Sequence, residues 1–190
     1  MRLLLASKSP RRRQLLSELG YPIKFITIDV DERLGGPVTA NRVAETLARR
    51  KAAACPDRML GEDDVLVTAD TVVVHRDQVL GKPKDRDEAL AMLRSLSGDR
   101  HTVYTGVCLR SREQEVSFTE ATDVVFRQLD DDDISYYVDN YRPYDKAGAY
   151  GVQEWIGMVG VSRLEGCYYN VMGLPVARLY EILKSKFSSR

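Results

Sequence analysis

An apolar run, Leu3-Leu4-Leu5-Ala6, empties into Ser7-Lys8-Ser9-Pro10-Arg11-Arg12-Arg13 and then into Gln14-Leu15-Leu16. A short buried strand, an N-cap serine, a proline at the first helical position and arginines in the first turn read as strand, tight turn and helix. Such a helix start offers free backbone N–H groups and the positive end of its dipole, a setting suited to a phosphate. Carboxylates are the side chains favoured there, so three cations together are locally unfavourable unless a negative ligand or partner compensates. The same residues also make an ordinary capped helix with a solvated basic first turn.

Four further places carry residue types that could do chemistry. Asp70 interrupts a strand-like stretch between Val65–Val67 and Val72–Val74, and a carboxylate there is expensive to bury unless it meets a cation or a metal. The alternative puts Asp70 at the strand's exposed edge or has it bond to a backbone turn. Asp29, Asp31 and Glu32 follow the second strand, where they could supply hard oxygen ligands for magnesium or manganese beside Asp70, although acidic loop residues are usually only solvated. Lys82 sits between Gly81 and Pro83 in a rigid turn that could aim it at a phosphate, and Lys51 stands near a helix end; both also suit plain surface charge. Asp145-Lys146-Ala147-Gly148-Ala149-Tyr150-Gly151-Val152-Gln153 packs small residues between charges and an amide, so that backbone can approach a ligand while Gln153 offers a donor and an acceptor to a base edge.

The elements that must position these groups follow from periodicity and punctuation. Leu3–Ala6 and Ile23–Ile28 read as strands, with a helix over Arg11–Glu18 between them and a loop through Gly35-Gly36-Pro37 afterwards. Val43, Leu47 and Ala48 recur at helical spacing within Thr39–Ala54. Val65–His75 reads as a central strand, and Asp85–Leu96 as a helix closed by Ser97-Gly98. Thr102–Arg110 and Val116–Gln128 form a hairpin about the turn Ser111–Glu115, which would make the sheet mixed. The acidic run Asp130–Asp133 suits a helix start and needs no catalytic role. Leu174–Phe187 reads as a closing amphipathic helix. The economical architecture is a single α/β domain over residues 1–190, a mixed central sheet flanked by helices.

Composition narrows the classes. Lys plus Arg equals Asp plus Glu at 28 each among 190 residues, so no global field draws in nucleic acid or an anionic membrane. The longest apolar runs are too short to span a bilayer and the start lacks a signal-peptide segment, so a cytoplasmic protein is expected. Three cysteines, Cys55, Cys108 and Cys167, have no paired spacing and read as reduced, mostly buried small hydrophobes; His75 and His101 lie in strand-like sequence and read as structural.

Taken together, Ser7-x-Ser9-Pro10-Arg11-Arg12, Ala69-Asp70-Thr71, Gly81-Lys82-Pro83, Thr122-Asp123-Val124-x-Phe126, the Asp145–Gln153 segment and Asn170-Val171-x-Gly173-Leu174-Pro175 resemble the Maf family of nucleotide pyrophosphatases, nearly end to end. The resemblance implies a mixed-sheet α/β fold of the Maf/ITPase type with two lobes and a cleft. It implies hydrolysis of a nucleoside triphosphate to the monophosphate and pyrophosphate with a divalent metal cation, magnesium or manganese, in a cytoplasmic enzyme often found as a homodimer. The Asp-Lys-Ala-Gly-Ala-Tyr-Gly-x-Gln form looks like the branch acting on dTTP and UTP. By the same resemblance Asp70 is the proton acceptor and Arg12, Thr71 and Gln153 set base preference, while Ser9, Arg13, Glu32, Lys51 and Lys82 match other site positions. Asp70 and Glu32 would hold the metal. Two positions depart from the family pattern: Arg142 stands where a glutamate often precedes Pro143, and Glu154 follows Gln153 where glycine is frequent. The rival reading is a non-catalytic nucleotide-binding regulator of cell division or septum formation. A phosphomonoesterase is disfavoured by the lack of a nucleophile motif, and a nucleic-acid module by zero net charge.

Overall fold

The computed structural model describes residues 1–31, 33 and 38–187; Glu32 and the Gly35-Gly36-Pro37 loop lie outside the described residues. Strands β1 (Arg2–Ala6), β2 (Ile23–Ile26), β3 (Asp64–His75), β4 (Gln78–Leu80), β5 (Arg100–Arg110), β6 (Glu115–Phe126) and β7 (Val161–Glu165) form one sheet in the order β2-β1-β3-β5-β6-β7, with β4 paired to β3. Helices α1 (Pro10–Ser17), α2 (Ala40–Ala53), α3 (Arg86–Leu96), α4 (Asp131–Tyr141), α5 (Trp155–Gly160), α6 (Tyr168–Met172) and α7 (Val176–Ile182) accompany it. β1 runs parallel to β2 and β3, whereas β4 is antiparallel to β3 and β7 to β6. The α/β class and the mixed sheet are those the sequence predicts.

Two compact units divide the chain: residues 1–70, 105–120 and 173 onward make the first, and 71–104 with 121–172 the second. In the first, β1 lies between two parallel partners, and Leu3, Leu4 and Leu5, which point to alternate faces of the sheet, are at most 1% exposed, so both faces are covered there. That is why its sequence is continuously apolar instead of alternating. Helix α2 turns Val43, Ala44, Leu47 and Ala48 inward. It approaches β5 so closely that a Cβ on Gly106 would stand 2.1 Å from the Glu45 nitrogen. Ser117 and Thr119 of β6 donate to the Glu45 carboxylate at 2.5 and 2.9 Å, which anchors the helix to the sheet at that residue.

In the second unit, the inner faces of α3 and α4 meet Val103, Val124 and Phe126 in one apolar cluster. Asp85 and Asp130 cap α3 and α4, each accepting from the N–H three residues on. Both histidines are structural, as expected. His75 pairs with Asp99 at 3.0 Å, and His101 meets the Tyr150 hydroxyl at 2.7 Å with its ring edge-on to Phe126. Burial pushes the His101 imidazole down to about 4. Asn170 donates to the Val103 carbonyl and the Thr122 hydroxyl, so the Thr122 and Asn170 motifs serve to tie α6 to the sheet.

Several boundaries differ from expectation. β2 ends at Ile26 because β1, its partner, ends at Ala6 opposite it. The closing helix starts only after Pro175 and passes at Leu183–Phe187 into a wider π turn. The cysteines are free thiols, Cys55 and Cys108 buried and Cys167 partly so. Among the described residues no helix is long and apolar enough to cross a membrane.

Candidate functional site

In the first unit the parallel register sets Leu5 beside Val67. β1 stops one residue later, and the chain turns through Ser7–Ser9 into α1, whereas β3 continues to Asp70. The start of α1 and the Asp70 segment therefore both occupy the carboxyl end of this parallel strand pair, the end where open α/β sheets place ligands.

The turn is built as the sequence predicts. Ser9 is the N-cap, its hydroxyl accepting from the Arg12 N–H at 3.4 Å, with Pro10 at the first helical position. The Ser7 hydroxyl accepts from the Ser9 N–H at 3.1 Å. Arg13 donates to the Ser7 carbonyl at 3.1 Å and its guanidinium lies over the Phe25 ring at 5.1 Å. Those partners are neutral, so they hold the Arg13 charge in place without cancelling it. Arg12 donates to the Gly173 carbonyl at 2.8 Å, which joins the first and last sequence motifs.

Asp70 does not lie at an exposed edge. Its side chain and that of Lys51 are each 15% exposed, and the Lys51 ammonium donates to Asp70 Oδ1 at 2.5 Å. The cation that an acid in this strand requires is thus a lysine from the last turn of α2, a pairing that spacing could not reveal across 19 residues. Asp29 instead pairs with Lys8, and Asp31 with Arg33, whose guanidinium holds the Asp31 carboxyl below the usual range. Among the described residues no three acids, histidines or cysteines gather to hold a metal, so the proposed grouping of Asp29 and Asp31 with Asp70 does not form; Glu32 lies outside them. A single hard carboxylate nevertheless fits a magnesium-type ion, which binds through one or two carboxylates together with substrate phosphates.

The second unit holds Thr71, Lys82 and Gln153. Thr71 follows Asp70 on β3 and is partly buried. Lys82 is exposed in its turn, and the Gly81 carbonyl accepts from the Gly148 N–H at 3.0 Å, so that turn is tied to the 145–153 segment. Gly148 is required twice over: its φ is +69°, and a Cβ would stand 3.1 Å from the Val73 side chain. Gln153 buries its Oε1 without a hydrogen-bond partner among the described residues, and its Nε2 lies 2.9 Å from where a Cβ on Gly151 would be. An unpaired buried amide oxygen is a cost that a ligand donor would remove.

Sequence reasoning missed the group behind Gln153. Glu154 accepts from the Tyr137 hydroxyl and lies 3.1 Å from the Lys146 ammonium. Arg142, the other departure from the family pattern, is exposed and ends α4 in a left-handed conformation, φ 45°. No signal in the sequence joins residue 137 to residue 154, which lie on separate elements.

The sequence model of one family, described as Maf-like protein, matches residues 2–186. A protein of Bacteroides fragilis named dTTP/UTP pyrophosphatase is 51% identical over 185 residues, covering 96% of this chain and 95% of its own length. One of the same name from Bacteroides thetaiotaomicron is 49% identical over 183 residues, covering 96% and 94%. The solved Staphylococcus aureus Ham1 protein aligns with a TM-score of 0.49 at 12% identity, over 66% of this chain and 72% of that one.

Proposed function

This chain belongs to the Maf-like family, and from that premise we propose that it is a nucleoside triphosphate pyrophosphatase acting on dTTP and UTP. It cleaves the substrate to the monophosphate and pyrophosphate and so removes nucleotides from the pool, a task we place in the cytoplasm. The observation that carries the site assignment is the Lys51–Asp70 pair at the carboxyl end of the parallel strands that also open α1.

Asp70 serves as the base. A water oxygen forms a bond to the α-phosphorus, the bond from that phosphorus to the bridging oxygen of the β-phosphate breaks, and Asp70 accepts the proton the water loses. Lys51 orients the carboxylate and stands beside the position of charge transfer. Arg12, Arg13, Lys82 and the N–H groups after Ser9 neutralise the charge that grows on the departing pyrophosphate. A divalent cation held by Asp70 and Glu32 would add Lewis-acid polarisation of the phosphate oxygens. Gln153 and Thr71 meet the base. The unpaired Gln153 oxygen is an acceptor, and the N3–H of thymine and uracil is the matching donor.

The test supplies dTTP, UTP, CTP and GTP with magnesium or manganese and separates pyrophosphate from orthophosphate. Pyrophosphate released fastest from dTTP and UTP, with a loss of roughly 10²–10⁴-fold in turnover in Asp70→Asn, is the expected result. Binding without any pyrophosphate would instead identify the non-catalytic regulator, and near-normal turnover in Asp70→Asn would remove Asp70 as the base.

A further inference from the structure

Residues 151–154 close a tight turn, the Glu154 N–H donating to the Gly151 carbonyl at 3.0 Å. The turn is fastened from α4. The Tyr137 hydroxyl accepts from the Gly151 N–H at 3.0 Å and itself donates to Glu154 Oε2. The other carboxylate oxygen faces Lys146 at 3.1 Å, whose side chain is 8% exposed. Tyr137 is fully buried, and burial together with the bond to Glu154 pushes its hydroxyl well above the usual phenol range, so it remains a donor throughout neutral pH. Lys146 also donates to Asp145 at 2.8 Å, so both oxygens of the Glu154 carboxylate and the lysine ammonium have partners within the protein.

Its effect falls on Gln153. A Cβ on Gly151 would stand 2.9 Å from Gln153 Nε2, 2.9 Å from the Glu154 carboxyl carbon and 3.0 Å from its Oε2. The amide nitrogen and the carboxylate thus share the space over Gly151. A carboxylate attracts the amide N–H₂ and repels the amide oxygen, so the negative charge selects one of the two orientations of a side chain whose terminal torsion is roughly two-fold. The selected orientation keeps Nε2 on the Glu154 side and leaves Oε1 as the group without a partner.

We infer that Glu154, latched by Tyr137 and Lys146, is a positioning residue that fixes the Gln153 amide with Oε1 as its buried, unpaired acceptor, and thereby favours uracil and thymine over cytosine. Uracil and thymine carry a donor at N3, where cytosine carries an acceptor. An amide free to turn would offer its N–H₂ to cytosine equally well. The inference rests on the reading of Gln153 as a base contact.

The experiment measures kcat/KM for UTP and CTP in the wild-type protein and in Glu154→Ala, Glu154→Gln and Tyr137→Phe, with the Kd of UMP and CMP by calorimetry as a readout free of chemistry. In Glu154→Ala and Tyr137→Phe the UTP/CTP ratio should fall about tenfold, the scale of one hydrogen bond exchanged for a mismatch. Glu154→Gln keeps an acceptor for Tyr137 and should retain more of the ratio than the alanine variant. Tyr137→Phe preserves core volume, so a folding defect in the other variants does not block the test. An unchanged ratio in both substrate and monophosphate series, or equal losses for UTP and CTP, would overturn the role of Glu154. A wild-type protein that releases no pyrophosphate from UTP would instead overturn the function on which it rests.

Discussion

Removing Lys51 should destabilise the protein more than removing the acid it contacts, and removing both should cost less than the sum. At 2.5 Å, and with an effective dielectric of ~20, the Lys51–Asp70 pair gains on the order of 7 kcal/mol of gross attraction, most of which offsets the desolvation of the two charges. Deleting one partner of a fully buried pair costs about 3–5 kcal/mol. Both side chains here keep 15% exposure, which places Lys51→Met nearer 2–3 kcal/mol, since Asp70 then loses the ammonium that compensates its partly buried charge. Asp70→Asn should cost about 1 kcal/mol, because the lysine stem lets its ammonium turn toward water. The double variant, with no stranded charge, should fall about 1–2 kcal/mol short of the summed single losses. Urea unfolding at neutral pH measures all three, and pyrophosphate release measures activity alongside. The double variant should regain stability without regaining turnover. Additivity within roughly 0.5 kcal/mol would refute the coupling, and with it the claim that Lys51 is what allows an acid in that strand.

Acid lability should trace to His101. Burial lowers its folded-state pKa to about 4, against about 6.5 unfolded, so the unfolded chain binds the proton first. About 3 kcal/mol of stability present above pH 6.5 is therefore lost as pH falls toward 4, and urea midpoints of His101→Gln should show a flatter limb in that window. Gly106→Ala should destabilise by at least about 3 kcal/mol, because its Cβ meets helix backbone at 2.1 Å instead of a movable side chain. A melting temperature within 2 °C of wild type, a shift of at most ~1 kcal/mol, would contradict the close α2–β5 approach. Chelation should abolish pyrophosphate release, and added magnesium or manganese should restore it; full activity in excess chelator would dismiss the proposed cation.

Long, strongly patterned elements were legible because their own residues decide them. The Val65–His75 run, the α2 periodicity and the aspartate caps of α3 and α4 carry enough local signal to stand without tertiary help. Short elements were not. β4 has three residues and α6 five, lengths at which propensity means little, and they exist because the chain on either side delivers them to a partner. The early end of β2 shows the same dependence, since the length of its neighbour sets it.

The candidate phosphate-binding residues and the candidate base-binding residues differ in legibility for a related reason. Phosphate recognition is a matter of charge type, and charge type is written in the sequence: a serine cap, a proline and arginines announce it before any fold is known. Base recognition depends on which way one amide faces. Gln153 alone offers a donor and an acceptor with equal readiness, so its identity leaves the choice between uracil and cytosine open. The carboxylate proposed to decide it is the next residue, and its own position depends on a tyrosine 17 residues earlier and a buried lysine. On the proposed reading, selectivity resides in the support of Gln153 as much as in Gln153 itself. A relative that keeps the glutamine but loses the acid and its tyrosine should hydrolyse pyrimidine triphosphates with weaker preference for uracil.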